Sequence, residues 1–174
     1  MITANMRLSV FAAAAAAVLP VAVLAQSTSG QDLTPEGRGA YVSVAGAVEG
    51  FHARAGEIAL AKARRPEVRQ FAQTMVDAHR ESLERLIAAA RERGIDASEP
   101  GLLPFQWSRL RRLERASARR FDRVFVAQQI EAHEIAVELH RNFAENGDDT
   151  TLQSFAEAEA PVEQQHLDQA RGLQ

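Results

Sequence analysis

Two residue pairs in this chain have the spacing of a metal half-site. Glu163 precedes His166 by three positions in VEQQHLDQA, and Glu49 precedes His52 by three in EGFH. On a helix that separation puts both side chains on one face. Glu-x-x-His is also the pair that inward-facing helices supply in di-metal four-helix bundles. His79 and His133 add two more imidazoles, each on a stretch of helical apolar periodicity. Imidazole is the commonest neutral metal ligand and suits zinc, copper, iron and nickel. His52, His79, His133, His166, Glu49 and Glu163 are therefore the candidate metal set. The expected cofactor is a transition metal, with zinc, iron, copper and manganese all open. The competing reading is a group of core histidines satisfied by one another, by water or by carboxylates. Burying several polar rings without a shared partner is costly, which favours the metal. Glu159 lies one turn before Glu163. His140, two turns after His133, reads as an outer partner of the site or a surface residue.

Other chemistry is poorly represented. The chain has no cysteine, which excludes thiolate ligands, disulfides and cysteine nucleophiles. No nucleophile elbow, phosphate loop or paired-carboxylate hydrolase pattern occurs. No catalytic residue is assigned.

The elements that must position these side chains are helices. Thr34 and Pro35 have the types of an N-cap and first helical residue. Tyr41, Ala45, Val48, His52, Ala55 and Ala59 then form one stripe. Gly46, Gly50 and Gly56 weaken this helix but allow a neighbour close approach. Pro66 opens a second helix with the stripe Val68, Phe71, Met75, His79, Leu83, Leu86 and Ala90, ended by Gly94. A third long helix carries Phe121, Phe125, Gln128, Ala132, Ile135 and Leu139, with Val126, Ile130, His133, Val137 and His140 adjoining. ENGDDTT stops it. The fourth carries Leu152, Phe155, Glu159, Val162, His166, Ala170 and Leu173, and Pro161 is expected to kink it.

Between the two hairpins, residues 95–117 hold the loop signals of IDASEPGLLP and a short amphipathic helix, FQWSRLRRLERAS. No strand pattern is seen. The fold class predicted is all-α: a four-helix bundle with a long connection that contains a short helix. A connection of this length has room to run back along the bundle, as in ferritin-like folds.

The four histidines are also level. His52 and His79 lie 13 and 14 residues from Arg65 at the first turn, roughly 20 Å at 1.5 Å per residue. His133 and His166 lie 16 and 17 residues from Asp149 at the second turn, roughly 25 Å. Helices of about 42 Å would therefore hold all four near mid-bundle.

The 174-residue chain has 46% apolar residues and a net charge of −3, as expected of one packed domain. Its start is different. MITANMRLSVFAAAAAAVLPVAVLAQ has Arg7, an apolar run over residues 8–24, and Val23-Leu24-Ala25 at the positions a signal peptidase reads. Residues 1–25 are expected to be a cleaved signal peptide, 26–34 a flexible leader, and 35–173 the bundle. Periplasmic localisation follows, with outer-membrane association as a further expectation. Losing Arg7 takes the net charge from −3 to −4.

A basic stripe competes for a role. Arg112, Arg115, Arg119 and Arg123 recur at helical spacing among Arg109, Arg111 and Arg120, with Trp107, Leu110 and Leu113 as apolar contacts. Such a helix suits an anionic membrane surface, through Arg109, Arg112, Arg115 and Arg119. The plainer reading is a solvated face paired with acidic residues of the bundle. Export argues against nucleic acid as the partner. A binding helix would stay exposed, whereas a structural crossover would pack Trp107 and Leu110 on the bundle.

Tyr41-Val42, Ala45, Gly56, Ala59 and Lys62-Ala63, followed by VRQFAQTMVDAH, FDRVFVAQQIEAHE and APVEQQHLDQA, resemble an exported bacterial family. It is called domain of unknown function 4142. The resemblance covers nearly all of residues 37–173. It implies a ferritin-like fold and export, and members are often labelled predicted outer membrane proteins; it implies no activity. His79, His133 and His166 match the family's histidines. His52 stands where the family usually has glutamate. Ala78 and Ala132 replace an aspartate that often precedes the family's histidine. Val76 and Ile130 occupy positions where a di-iron oxidase would place glutamates, so a mononuclear or storage site is the expectation. The alternative is a non-catalytic envelope stress or interaction protein.

Overall fold

The computed structural model describes residues 37–97 and 101–174. The expected signal peptide, the leader and the Thr34–Pro35 start fall outside the described residues. The described residues form five helices: α1 (Arg38–Lys62), α2 (Pro66–Glu92), α3 (Pro104–Arg115), α4 (Phe121–Asn146) and α5 (Thr150–Arg171). Pro66 and Pro104 open α2 and α3, where a missing N–H leaves no intrahelical bond unmade. Gly94, at φ +70°, takes the left-handed turn just past α2. Asp149 caps α5 by accepting from Thr151 N at 3.1 Å and Leu152 N at 3.2 Å. α5 continues through Pro161 as a single helical element.

Polar ties at the two ends fix the topology. At one end the α1–α2 turn meets the start of α4. The backbone N–H groups of Arg64 and Arg65 donate to the Asp122 carboxylate, each at 3.0 Å. At the other end Arg38 and Arg93 reach Asp149 at 3.4 and 2.6 Å. So α2 finishes at the end where α5 begins, and α4 begins at the opposite end. The connection must traverse the bundle, and α3, within it, packs on α1 and α4. Each long helix is antiparallel to its two contacting neighbours. The fold is all-α, a ferritin-like four-helix bundle with one crossover connection.

α1 and α2 approach closely at Gly56. A Cβ there would meet Ala72 O at 2.8 Å and Val76 Cγ2 at 2.9 Å. The apolar core lies in two layers. One gathers Phe51, Phe71, Met75, Leu113, Phe121 and Phe125; the other gathers Tyr41, Val48, Leu86, Phe143, Leu152 and Phe155. Polar residues fill the middle.

α3 divides its faces. Leu110 and Leu113 are buried against the bundle, while Trp107 is 44% exposed beside Arg54. The crossover is structural along its leucine edge and open along its arginine edge. Among the described residues no helix is long and apolar enough to cross a membrane.

Candidate metal centre

All four long helices send polar side chains into the middle layer. α1 supplies Glu49 and His52, α2 His79, α4 His133 and His140, and α5 Glu159, Glu163 and His166; every one is buried. The His52 ring lies between two others, with centroids 4.4 Å from His79 and 4.0 Å from His133, both stacked. His166 is tilted against the same two rings at 5.3 and 5.5 Å.

Hydrogen bonds orient the rings of His52, His79 and His133. His52 Nδ1 lies 3.0 Å from Gln129 Oε1. An amide oxygen only accepts, so Nδ1 carries the proton and Nε2 keeps its lone pair. His79 Nδ1 lies 2.7 Å from Glu49 Oε2 and 3.7 Å from Glu163 Oε1. His133 Nδ1 lies 2.7 Å from Glu163 Oε2, and its Nε2 lies 3.2 Å from Met75 Sδ. Sulfur is a weak acceptor, so His133 Nε2 donates to it and Nδ1 accepts from a protonated Glu163. Burial agrees with that assignment. It pushes the Glu163 carboxyl up to about 8, helped by the charges of Glu49 and Glu159 and opposed by His79.

The same desolvation acts on every group here. It lifts Glu49 well above the usual carboxylate range, reinforced by Glu159. It holds His52 and His133 well below the ordinary imidazole value, and lowers His79 as well. His140 falls to about 3 and His166 to about 4, again through burial first and His79 second. At neutral pH the imidazoles are neutral, which is the form that ligates a metal.

One donor atom from each of His52, His79, His133 and Glu163 lies within 4.8 Å of every other. Bonds of about 2.0–2.2 Å to one tetrahedral ion would set such atoms about 3.3–3.6 Å apart. The donors would need to draw inward by at most about an ångström to reach that geometry. The chemistry also fits. Among the described residues, Nε2 of His52, His79 and His140, Nδ1 of His166 and Oε1 of Glu49 are buried without a hydrogen-bond partner. Each such atom costs about 1–3 kcal/mol, and a cation is a partner that neutral imidazoles and carboxylates accept.

The placement differs in detail from the stripe drawn on the sequence. His166 lies beside the rings of His79 and His133 but outside the four-donor set. Glu163, expected at the stripe's edge, is 1% exposed and central, while Val162 is only half-buried. His140 is not a surface residue. It is fully buried, with Nδ1 2.9 Å from the Tyr41 hydroxyl. Its seven-residue separation from His133, which returns to the same helix face, carried that information. Gln129 and Met75 carried none, because their types are ordinary in a bundle core. Glu159 sits apart, held by Arg85 at 2.5 Å.

Fold and site together define a ferritin-like bundle with a buried histidine–carboxylate cluster that could hold a metal ion. The chain belongs to the family described as domain of unknown function (DUF4142), whose profile matches residues 23–173. No curated protein matches it. Among solved structures, the crystal structure of a DUF305 fragment from Deinococcus radiodurans is similar in fold. Its TM-score is 0.67 at 15% identity, covering 76% of this chain and 91% of that one.

Proposed function

We propose that this chain is exported to a bacterial periplasm, where it binds and sequesters a transition-metal ion in the middle of the bundle. The observation that carries this reading is convergence: each long helix contributes one buried donor to a group within 4.8 Å. His52, His79, His133 and Glu163 would hold the ion. Glu49, bonded to His79, and Gln129, bonded to His52, would orient those rings. His166 and Glu49 stand next to the set as reserve donors. Three imidazoles and a carboxylate suit zinc, iron or copper, and accept manganese less readily. The chain would be purified from the periplasm and reconstituted at neutral pH with each metal in turn. About one equivalent or more of at least one metal is expected. Less than about a tenth of an equivalent of all four would overturn the reading. Export is checked by the mass of the periplasmic protein, which should begin at Gln26; a chain retained inside the cell with Met1 intact would refute it.

A second reading, contact with an anionic membrane surface, is supported by the outer face of the crossover and the start of α4. Arg112, Arg115, Arg119, Arg120 and Arg123 are exposed. Among the described residues no carboxylate pairs with them, and only Arg109 in this group has an acidic partner, Glu131 at 2.9 Å. A groove of about 370 Å³ runs between Arg112, Arg120 and Arg123. Sedimentation with anionic vesicles at physiological salt tests it. Binding lost in a triple Arg112→Gln, Arg115→Gln, Arg119→Gln variant supports this reading; no binding by the natural chain removes it.

A further inference from the structure

We propose that Glu49, His140 and Glu163 form a second metal position beside the first, so that the centre takes two ions with its carboxylates shared between them. The inference rests on the metal-binding reading above and deepens it. One donor atom each from Glu49, His140 and Glu163 lies within 4.8 Å of the others, and all three residues are at most 1% exposed. Glu163 belongs to both donor groups.

Both carboxylates stand where the two groups meet. Glu49 turns Oε2 to His79 at 2.7 Å and Oε1 toward His140 Nε2 at 3.9 Å. Neither Glu49 Oε1 nor His140 Nε2 has a hydrogen-bond partner among the described residues. Two buried polar atoms left without partners are costly, and a cation between them would satisfy both once Nε2 offers its lone pair. Glu163 sets Oε2 on His133 at 2.7 Å and Oε1 3.7 Å from His79, and one of its oxygens also lies within 4.8 Å of donors on Glu49 and His140. A carboxylate that belongs to two neighbouring donor groups can bridge them, and the ions of two-metal centres lie about 3.5–4 Å apart.

The surroundings suit the added charge. His140 Nδ1 lies 2.9 Å from the buried Tyr41 hydroxyl. A ligating Nε2 leaves Nδ1 protonated, and the phenol oxygen then accepts from it. Two divalent ions bring four positive charges, of which Glu49 and Glu163 balance two. Glu159, also buried, adds a further carboxylate to the local field, offset by its ion pair with Arg85 at 2.5 Å. This pattern needs no glutamate at Val76 or Ile130, the positions whose apolar residues argue against a carboxylate-only centre.

The full chain, freed of metal with a chelator and saturated with cobalt(II), tests the proposal by elemental analysis and titration. Two ions per chain are expected, with low-temperature magnetism below that of two isolated ions. His140→Gln should bind one ion, keep the tighter equivalent and retain its helical circular dichroism. If that variant does not fold, the stoichiometry of the natural chain decides alone. Saturation at one ion overturns the second position while leaving the first reading intact. Two ions retained in His140→Gln also overturn it. No cobalt bound at all would overturn both.

Discussion

A carboxyl group held neutral by burial must release its proton before it can ligate a cation. Glu163, raised to about 8 by desolvation, is such a group, whereas the imidazoles around it are already deprotonated at neutrality. Metal affinity should therefore climb by up to about tenfold per pH unit from 6 to 8, then flatten as Glu163 ionises on its own. Competition with a chelator of known protonation constants measures this. An affinity flat across that range would mean that Glu163 does not ligate. Of the polar residues, the histidines were legible because a buried imidazole stands out on an apolar stripe. Glu163 was legible through its spacing to His166. Its dominance over His166 was not, since the rotation of α5 by a fraction of a turn depends on what α2 and α4 place against it.

At the scale of elements, close approach and burial outweigh surface charge. Gly56→Ala would drive a methyl group to within 2.8 Å of the Ala72 carbonyl. The helices must part there, at a cost of about 1–3 kcal/mol. Gly50→Ala meets only Leu102 at 3.5 Å and should stabilise by about 0.5–1 kcal/mol through helix propensity. Denaturant titration of the two variants separates them; equal effects would refute the packing argument. On α3, Leu113→Ala should cost about 2–5 kcal/mol, because its side chain is fully enclosed. The triple change of Arg112, Arg115 and Arg119 to Gln should stay within about 1 kcal/mol. Helix number and order were readable from the stripes. The docking of α3 by Leu110 and Leu113, with Trp107 left half out, was not, because an amphipathic pattern does not say which partner covers it.

For the whole molecule, the buried cluster sets the pH dependence of the metal-free fold. Each of the five histidines has its folded value below the ordinary 6.5. The unfolded chain therefore takes up protons first as pH falls, and stability drops below about 6.5. Glu49 and Glu163 act oppositely. Their folded values lie above the ordinary 4.5, so the folded state holds protons the unfolded chain has lost, and stability declines as pH rises toward 8. Five groups against two make the acid limb the steeper. Thermal unfolding of the metal-free chain should peak near neutrality and fall fastest between pH 6.5 and 4. A melting temperature that rises on acidification would contradict the assigned protonation.

Local pattern determined the helices, their hairpin pairing and the mid-bundle level of His52, His79, His133 and His166. Those features follow from residue spacing and the fixed rise of a helix, which need no partner to be computed. The tertiary structure decided which nitrogen of His52, His79 and His133 is engaged, that Glu163 stands inward, and that His140 joins Glu49 in a second group. It also decided the direction of the crossover, through the ties of Asp122 and Asp149 at opposite ends. These depend on distances between residues far apart in the chain. A periodic pattern places a side chain on a face, but only packing against other helices fixes the angle of that face and the atoms it meets.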